Sequence, residues 1–101
     1  MSKKNNKGNQ GLCISERVAQ MDQQFLADME VMVLENQKEA LRLIRIMRDV
    51  LNNPFKGLGK PEPLKYEEGW SRRVNHTNRL QYSVESNCIK FSRTLGHYTG
   101  N

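Results

Sequence analysis

Cysteine is scarce in this sequence, with Cys13 and Cys88 the only two among 101 residues. So few cysteines exclude a small secreted domain held together by several disulfide bonds, and they fit a reducing compartment. Long hydrophobic runs are also missing, so no stretch has the length that a transmembrane helix or a signal peptide requires. We therefore expect a cytoplasmic protein that has no membrane partner.

Acidic residues are fewer than basic ones, 11 against 16, and the excess positive charge is unevenly distributed. Residues 1–10 contain three lysines and no acid, residues 11–53 contain five basic and seven acidic residues, and residues 54–101 contain eight basic and four acidic residues. The positive second half favours a polyanionic partner such as nucleic acid, or an acidic protein segment. A basic surface kept only for solubility is the alternative that charge alone leaves open.

The chain length supports one domain, and a domain of this size has a thin stability margin. Residues 1–10 mix Lys, Asn, Gly and Gln without an apolar anchor, so we expect a flexible basic tail. Residues 11–101 then form a single folded domain.

Helical spacing dominates the first half of this domain. A short apolar run at residues 11–15 suits an edge strand, and Ser15 could cap a first helix whose apolar residues recur at intervals of three and four. Asn36 offers a second helix start, with Glu39 three residues later, and Asn52, Asn53 and Pro54 end that helix. The apolar face of the first helix comprises Val18, Met21, Phe25, Met29 and Met32, and that of the second Ala40, Leu41, Leu43, Ile44, Met47, Val50 and Leu51.

The second half changes to strand-like alternation. Its Gly and Pro content makes Pro54–Lys65 a loop, and three strand candidates follow at residues 70–74, 79–84 and 87–95. Apolar and polar residues alternate within them, so one face of the sheet is apolar and the other is polar and basic. We predict an α+β fold in which two N-terminal helices pack on one face of a small antiparallel β-sheet and leave the basic face open.

The basic half contains the residue types that metal-independent RNA cleavage needs. A base must remove the proton of the ribose 2′-OH, a cation must stabilise the charge on the phosphorus centre, and an acid must protonate the departing 5′ oxygen. Glu62 lies between two prolines that stiffen its backbone, and His97 titrates near neutral pH. Arg72, Arg73 and Arg79 supply guanidinium groups, which bind two phosphate oxygens together.

Each of these residues also has an ordinary structural interpretation. A single glutamate in a loop, arginines on a surface and a His-Tyr pair near a chain end are common without any catalytic role. Spacing indicates no metal site, no glycine-rich phosphate loop and no cofactor. From this chemistry alone the sequence supports an RNA-binding domain and goes no further.

Four ordered blocks resemble the YoeB/Txe toxins of the RelE-like superfamily. They are residues 53–65, with the run Gly-x-Gly-Lys-Pro-Glu-Pro-Leu-Lys, residues 70–74, residues 78–82, and His97-Tyr98. The resemblance covers about half the chain, and the first block is its most specific part. It implies the toxin of a type II toxin-antitoxin system, a ribosome-dependent endoribonuclease that cuts mRNA in the ribosomal A site.

The resemblance also implies roles and partners. Glu62 matches the family's general base, His97 its general acid, Arg79 the cation that stabilises the transition state, and Tyr98 the terminal aromatic residue that orients the RNA. The implied partners are a cognate antitoxin, the ribosome with its mRNA, and operator DNA through the antitoxin complex, while a homodimer is an additional assembly to consider. Lys60 is a further RNA-binding position, and Lys65, Arg72 and Arg73 fall where basic residues of the family bind the phosphate backbone or help shape the site.

The chain departs from the family pattern at several positions. Asn78 stands where the family usually has His, and Leu95 and Gly96 replace a basic and an aromatic residue. The segment at residues 66–69 is shorter and more acidic than usual. These departures motivate an alternative hypothesis, a catalytically weakened toxin homologue that acts as an antitoxin- and nucleic-acid-binding module.

Overall fold

A computed structural model describes residues 16–94. The basic tail, the strand predicted at residues 11–15, and His97 and Tyr98 lie outside the described residues. Within residues 16–94, no helix is long and apolar enough to cross a membrane. The elements in chain order are β1 (Val18–Met21), α1 (Gln23–Glu35), α2 (Gln37–Asn52), β2 (Glu62–Pro63), β3 (Trp70–Arg73), β4 (Arg79–Glu85) and β5 (Cys88–Arg93).

The first helix starts later than the sequence predicted, because Val18–Met21 is a strand. Asp22 is the N-cap of α1, and its Oδ1 accepts a hydrogen bond from the Phe25 backbone N–H at 2.9 Å. Val18 and Met21 therefore belong to β1. Their spacing of three and four residues up to Phe25 matches a helical repeat by coincidence. Pairing of β1 with β5 decides the local structure, since a four-residue segment has no strong preference of its own.

The second helix agrees with its prediction. The side chain of Asn36 caps α2 by accepting from the Glu39 N–H at 3.2 Å, and the helix runs to Asn52 with Asn53 as its C-cap. Leu41 and Ile44 of the predicted apolar face remain exposed. The buried residues of α2 are Ala40, Leu43, Ile46, Met47 and Val50.

The sheet has five strands in the order β1-β5-β4-β3-β2. Three of the four pairings are antiparallel, as predicted, but β1 pairs parallel to β5, so the sheet is mixed. The helical hairpin and the strands β2, β3 and β4 all lie between these two paired strands in the chain. Glu62–Pro63, predicted as loop, forms the short edge strand β2 by pairing with Ser71 and Trp70 of β3.

The core lies between the two helices and one face of the sheet, which confirms the predicted layering. Phe25 of α1 stacks on Phe91 of β5 with ring centroids 5.9 Å apart. The sheet supplies Leu80, Tyr82, Ile89 and Phe91 to this core, all less than 2% exposed. The opposite face of the sheet is consequently available for the polar side chains of the same strands.

Candidate active site

The polar face of the sheet gathers residues from β2, β3 and β4. Glu62 pairs with Ser71, Ser71 pairs with Gln81, and Arg73 pairs with Arg79. Side chains of directly paired residues project to the same face of a sheet, so strand register alone places all five together. Glu62 and Arg73 are exposed, whereas Ser71 and Gln81 are buried.

Glu62 and Arg79 are in direct contact on this face. The Arg79 Nη2 atom lies 3.2 Å from Glu62 Oε1, and the same nitrogen donates to Ser71 Oγ at 2.9 Å. The side chain of Glu62 is 63% exposed and that of Arg79 is 30% exposed, so both can be reached from solvent. The structure thus brings together a carboxylate and a guanidinium that are 17 residues apart in the sequence.

Arg73 adds a second positive charge directly opposite Arg79. Like charges in register on neighbouring strands repel each other and destabilise the pair. An anion placed between the two guanidinium groups would relieve that repulsion, and a phosphate is the anion that guanidinium binds through two oxygens. This edge of the polar face is therefore suited to a phosphate group.

Lys60 and Lys65 bracket Glu62 in the chain. Both are exposed, and within residues 16–94 neither forms an ion pair. Lys60 has a φ of 54°, a left-handed conformation that is uncommon for a residue with a side chain. Their ammonium groups are available to a ligand that approaches Glu62.

Arg72 does not belong to this face, contrary to the prediction that it binds RNA. It pairs with Leu80, so its side chain projects into the helical side of the sheet, where it is completely buried. Sequence alone did not separate Arg72 from Arg73, because adjacent arginines on a strand point to opposite sides. Direct contact between Arg72 and RNA is excluded in this arrangement.

The buried guanidinium instead fixes the loop that precedes Glu62. Arg72 Nη2 donates to the carbonyls of Asn53 and Lys56 at 2.6 and 3.1 Å, and Nη1 donates to that of Leu58 at 3.1 Å. The same Nη1 lies 2.7 Å from Asp49 Oδ2, which also accepts the Leu58 N–H at 2.9 Å. One side chain therefore ties the end of α2 and residues 53–58 to β3.

Two glycines allow this loop to approach the buried charge. A Cβ at Gly57, whose φ is 133°, would lie only 1.9 Å from Asp49 Oδ2. A Cβ at Gly59, whose φ is 80°, would lie 2.6 Å from the Arg73 carbonyl. The Gly59 carbonyl accepts the Arg73 N–H at 2.7 Å, so the loop reaches β3 just before Glu62. The Gly-x-Gly part of the motif thus has a steric explanation.

Comparison with known proteins identifies the family of this chain. The family model for the YoeB-like toxin of bacterial type II toxin-antitoxin systems matches residues 21–98. The chain belongs to the YoeB toxin family. A toxin YoeB of Streptomyces coelicolor is 38% identical over 65 residues, which cover 62% of this chain and 77% of that protein.

Solved YoeB structures share the fold of this YoeB-family toxin. A YoeB-YefM complex from Staphylococcus aureus has a TM-score of 0.73 and 30% identity, covering 82% of this chain and 99% of that one. A YoeB dimer from Staphylococcus aureus has a TM-score of 0.73 and 29% identity, covering 81% and 98% of the two chains. The α+β fold with two helices on a five-stranded sheet is thus that of the family.

Asn78 of this YoeB-family toxin lies on the helical side of the sheet. Its Nδ2 is 3.3 Å from Glu39 Oε1 of α2, and the neighbouring Arg79 points to the polar face. The hydrogen bond joins the turn between β3 and β4 to the start of α2. Asn78, at the position where the chain departs from the family pattern, therefore contacts a helix and not the Glu62–Arg79 pair.

Several residues of this arrangement were not predicted from the sequence. Asp49 and Tyr82 were assigned no role, yet both contact the Arg72 guanidinium, and Tyr82 Oη donates to the Pro54 carbonyl at 2.6 Å. An acid near a helix end gives no signal of a partner 23 residues away. Ser71, which accepts from Arg79, could have been found from the strand alternation around it.

The electrostatics of the Arg72 cluster shift two pKa values. Partial burial by itself would raise the pKa of Asp49, but the Leu58 N–H and Arg72 outweigh it, so the pKa lies below its ordinary value. Burial raises the pKa of Tyr82, and Arg72 offsets only part of that effect. The cluster thus consists of an ionised carboxylate, a guanidinium and a neutral phenol that donates its proton to the loop.

The Asp49–Arg72 pair makes stability depend on pH in the acidic range. Because the folded-state pKa of Asp49 is below its unfolded value of about 3.9, the carboxylate stabilises the fold above that pH, and the contribution is lost as the pH falls through the folded pKa. We expect Asp49→Asn to lower the unfolding free energy at pH 7, with a difference from wild type that shrinks below about pH 4. Urea unfolding at both pH values measures this. An equal difference at pH 7 and pH 3 would contradict the ion-pair interpretation.

Proposed function

We propose that this YoeB-family toxin is a ribosome-dependent endoribonuclease that cleaves mRNA in the ribosomal A site. The observation that supports the proposal most directly is the exposed Glu62 carboxylate, 3.2 Å from the Arg79 guanidinium on the polar face. Arg73 lies opposite Arg79 on the neighbouring strand, which favours phosphate at this position.

The proposed reaction is an internal transesterification. Glu62 removes the proton of a ribose 2′-OH, and the 2′ oxygen attacks the adjacent phosphorus. Arg79 stabilises the negative charge that develops on the phosphate oxygens, and the bond from phosphorus to the 5′ oxygen then breaks. His97 donates a proton to that leaving oxygen, so the products are a 2′,3′-cyclic phosphate and a 5′-OH. No step of this reaction calls for a metal ion.

The remaining predicted residues would position the RNA. Arg73 on the polar face, together with Lys60 and Lys65 on either side of Glu62 in the chain, would bind the phosphate backbone. Tyr98 would stack on a base, a contact worth about 1 to 3 kcal/mol per base. Arg72 acts indirectly, since its hydrogen bonds to residues 53–58 fix the loop that presents Glu62.

The partners follow from the family. The Staphylococcus aureus relative forms a complex with YefM, so we propose that a cognate antitoxin binds and silences this toxin in the cytoplasm. Operator DNA would be contacted through that complex. The YoeB dimer of Staphylococcus aureus makes a homodimer a further proposed assembly.

Induced expression in bacteria that lack a cognate antitoxin tests the proposal. We expect growth arrest, with new 5′ ends in mRNA mapped by primer extension at codons in the A site, and purified toxin should cut mRNA only when it is bound to ribosomes. A non-catalytic binding module would leave growth and mRNA intact. Ribosome-independent cutting of free RNA would instead indicate a general nuclease.

A further inference from the structure

A second recess lies on the polar face beside the Glu62–Arg79 pair. It is a cleft of about 180 Å³ between the loop that joins β2 to β3 and the strands β4 and β5. The Leu64 N–H closes this loop by donating to the Gly69 carbonyl at 3.0 Å. Gly69, with a φ of 130°, lies so near the Tyr82 carbonyl that a Cβ there would be 2.9 Å from that oxygen. The loop is thus fixed against β4 and forms one wall of the cleft.

The walls of the cleft have opposite charge. Glu67 and Glu68 come from the loop, and Lys90 and Arg93 come from β5. Among the residues that the structure describes, none of these four is in an ion pair. Charged side chains of both signs therefore line one recess and are available to a ligand.

The cleft also contains a polar side chain to which no described residue hydrogen-bonds. Gln81 is only 7% exposed and lines the cleft, and its carboxamide has no hydrogen-bond partner within residues 16–94. Of the buried side-chain polar atoms in the described residues, only Thr94 Oγ1 lacks a partner, so the Gln81 carboxamide reaches the solvent of the cleft and can be contacted there by a ligand. Gln81 can both donate and accept hydrogen bonds, as the edge of a nucleobase can.

The position of the cleft connects it to the proposed RNA site. Gln81 is two residues from Arg79 on β4, which corresponds to about 6.6 Å along a strand. It also pairs with Ser71, the residue that accepts a hydrogen bond from Arg79. An RNA strand with its scissile phosphate at Arg79 would therefore place a neighbouring nucleotide at this cleft.

We propose that this cleft binds the nucleotide next to the scissile phosphate and selects bases that have an exocyclic amino group over uracil. The inference rests on the proposed RNA cleavage. Carboxylates only accept hydrogen bonds, so Glu67 and Glu68 favour the amino groups of adenine, cytosine and guanine. Uracil presents two carbonyl oxygens and a single N–H on the same edge, which the carboxylates repel. Lys90 and Arg93 bind the phosphate of that nucleotide without reading its base.

Ribosomes programmed with mRNAs that differ in one nucleotide on either side of the cut test this selection. We expect uracil at one of the two positions to slow cleavage by wild type by about tenfold, comparable to one hydrogen bond to a charged group. The double variant Glu67→Gln with Glu68→Gln should remove that difference, because its amides can donate to uracil. Lys90→Ala with Arg93→Ala should slow cleavage of all the mRNAs alike.

Matched variants on the helices serve as controls. Glu30→Gln on α1 and Lys38→Ala on α2 alter exposed charges outside the cleft and should keep the wild-type preference. Wild-type cleavage at equal rates for all four bases at both positions would overturn the inference and leave the proposed function standing. Loss of the preference in Glu30→Gln would overturn it too. Failure of wild type to cut ribosome-bound mRNA would refute the proposed function, and the inference with it.

Discussion

Glu62→Gln is expected to slow cleavage of ribosome-bound mRNA by about 10² to 10⁴-fold, because the amide cannot remove the proton of the 2′-OH. His97→Ala is expected to have an effect of the same size through loss of the acid that protonates the leaving oxygen. Single-turnover rates measured with programmed ribosomes determine both values. Growth arrest on induction should disappear in parallel.

The fold should tolerate the Glu62 substitution. Glu62 is largely exposed, and its ion pair with Arg79 is a surface contact, which contributes about 1 kcal/mol or less to stability. Thermal unfolding of Glu62→Gln should therefore match that of wild type. Glu85→Gln, an exposed change at the end of β4, serves as a control for removal of one acid. Normal cleavage rates in both Glu62→Gln and His97→Ala would refute the assignment of base and acid.

The second large effect is on stability. Arg72→Met should lower the unfolding free energy by about 3 kcal/mol, the low end of the range for breaking a buried ion pair, because the remaining Asp49 side chain is 29% exposed and stays partly hydrated. The substitution leaves Asp49 without its cation and removes the donors to the carbonyls of Asn53, Lys56 and Leu58. Such a loss is a large part of the total stability of a domain of this size. Urea unfolding at pH 7 measures it.

Arg73→Met provides the matched control, since it removes the same charge from the next residue. Arg73 is exposed and faces Arg79, so its loss should change stability by about 0.5 kcal/mol or less. We expect the two variants to differ in unfolding free energy. Arg72→Met unfolds more easily, whereas Arg73→Met keeps its stability and loses RNA affinity. Equal stability of the two variants would contradict the structural role of Arg72.

Local patterns predicted the parts of this fold that local interactions decide. Asn36 and Glu39 mark the start of α2, and strand alternation located β3, β4 and β5, because caps and binary patterning act over a few residues. The parallel pairing of β1 could not be predicted in this way. It joins Val18 to Cys88, and nothing within Val18–Met21 specifies a partner so distant in the chain.

The candidate site was likewise predictable from the sequence only in part. The motif around Glu62 and the arginines of β3 and β4 were identified from the sequence, and the structure brings Glu62, Arg73 and Arg79 to one face. The burial of Arg72 depends on which side of β3 faces the helices, and that is set by the whole sheet. The roles of Asp49 and Tyr82 depend on the same choice. His97 and Tyr98 stay predictions, since they lie outside residues 16–94.

The parallel pairing of β1 with β5 has a consequence for synthesis of the toxin. Cys88–Arg93 lies between β1 and β4 in the sheet and supplies Ile89 and Phe91 to the core, yet it is the last of the described strands to be translated. Until it has left the ribosome, β1 has no neighbour and the helices have no complete surface to cover. The nascent chain therefore cannot assemble this domain before β5 has left the ribosome.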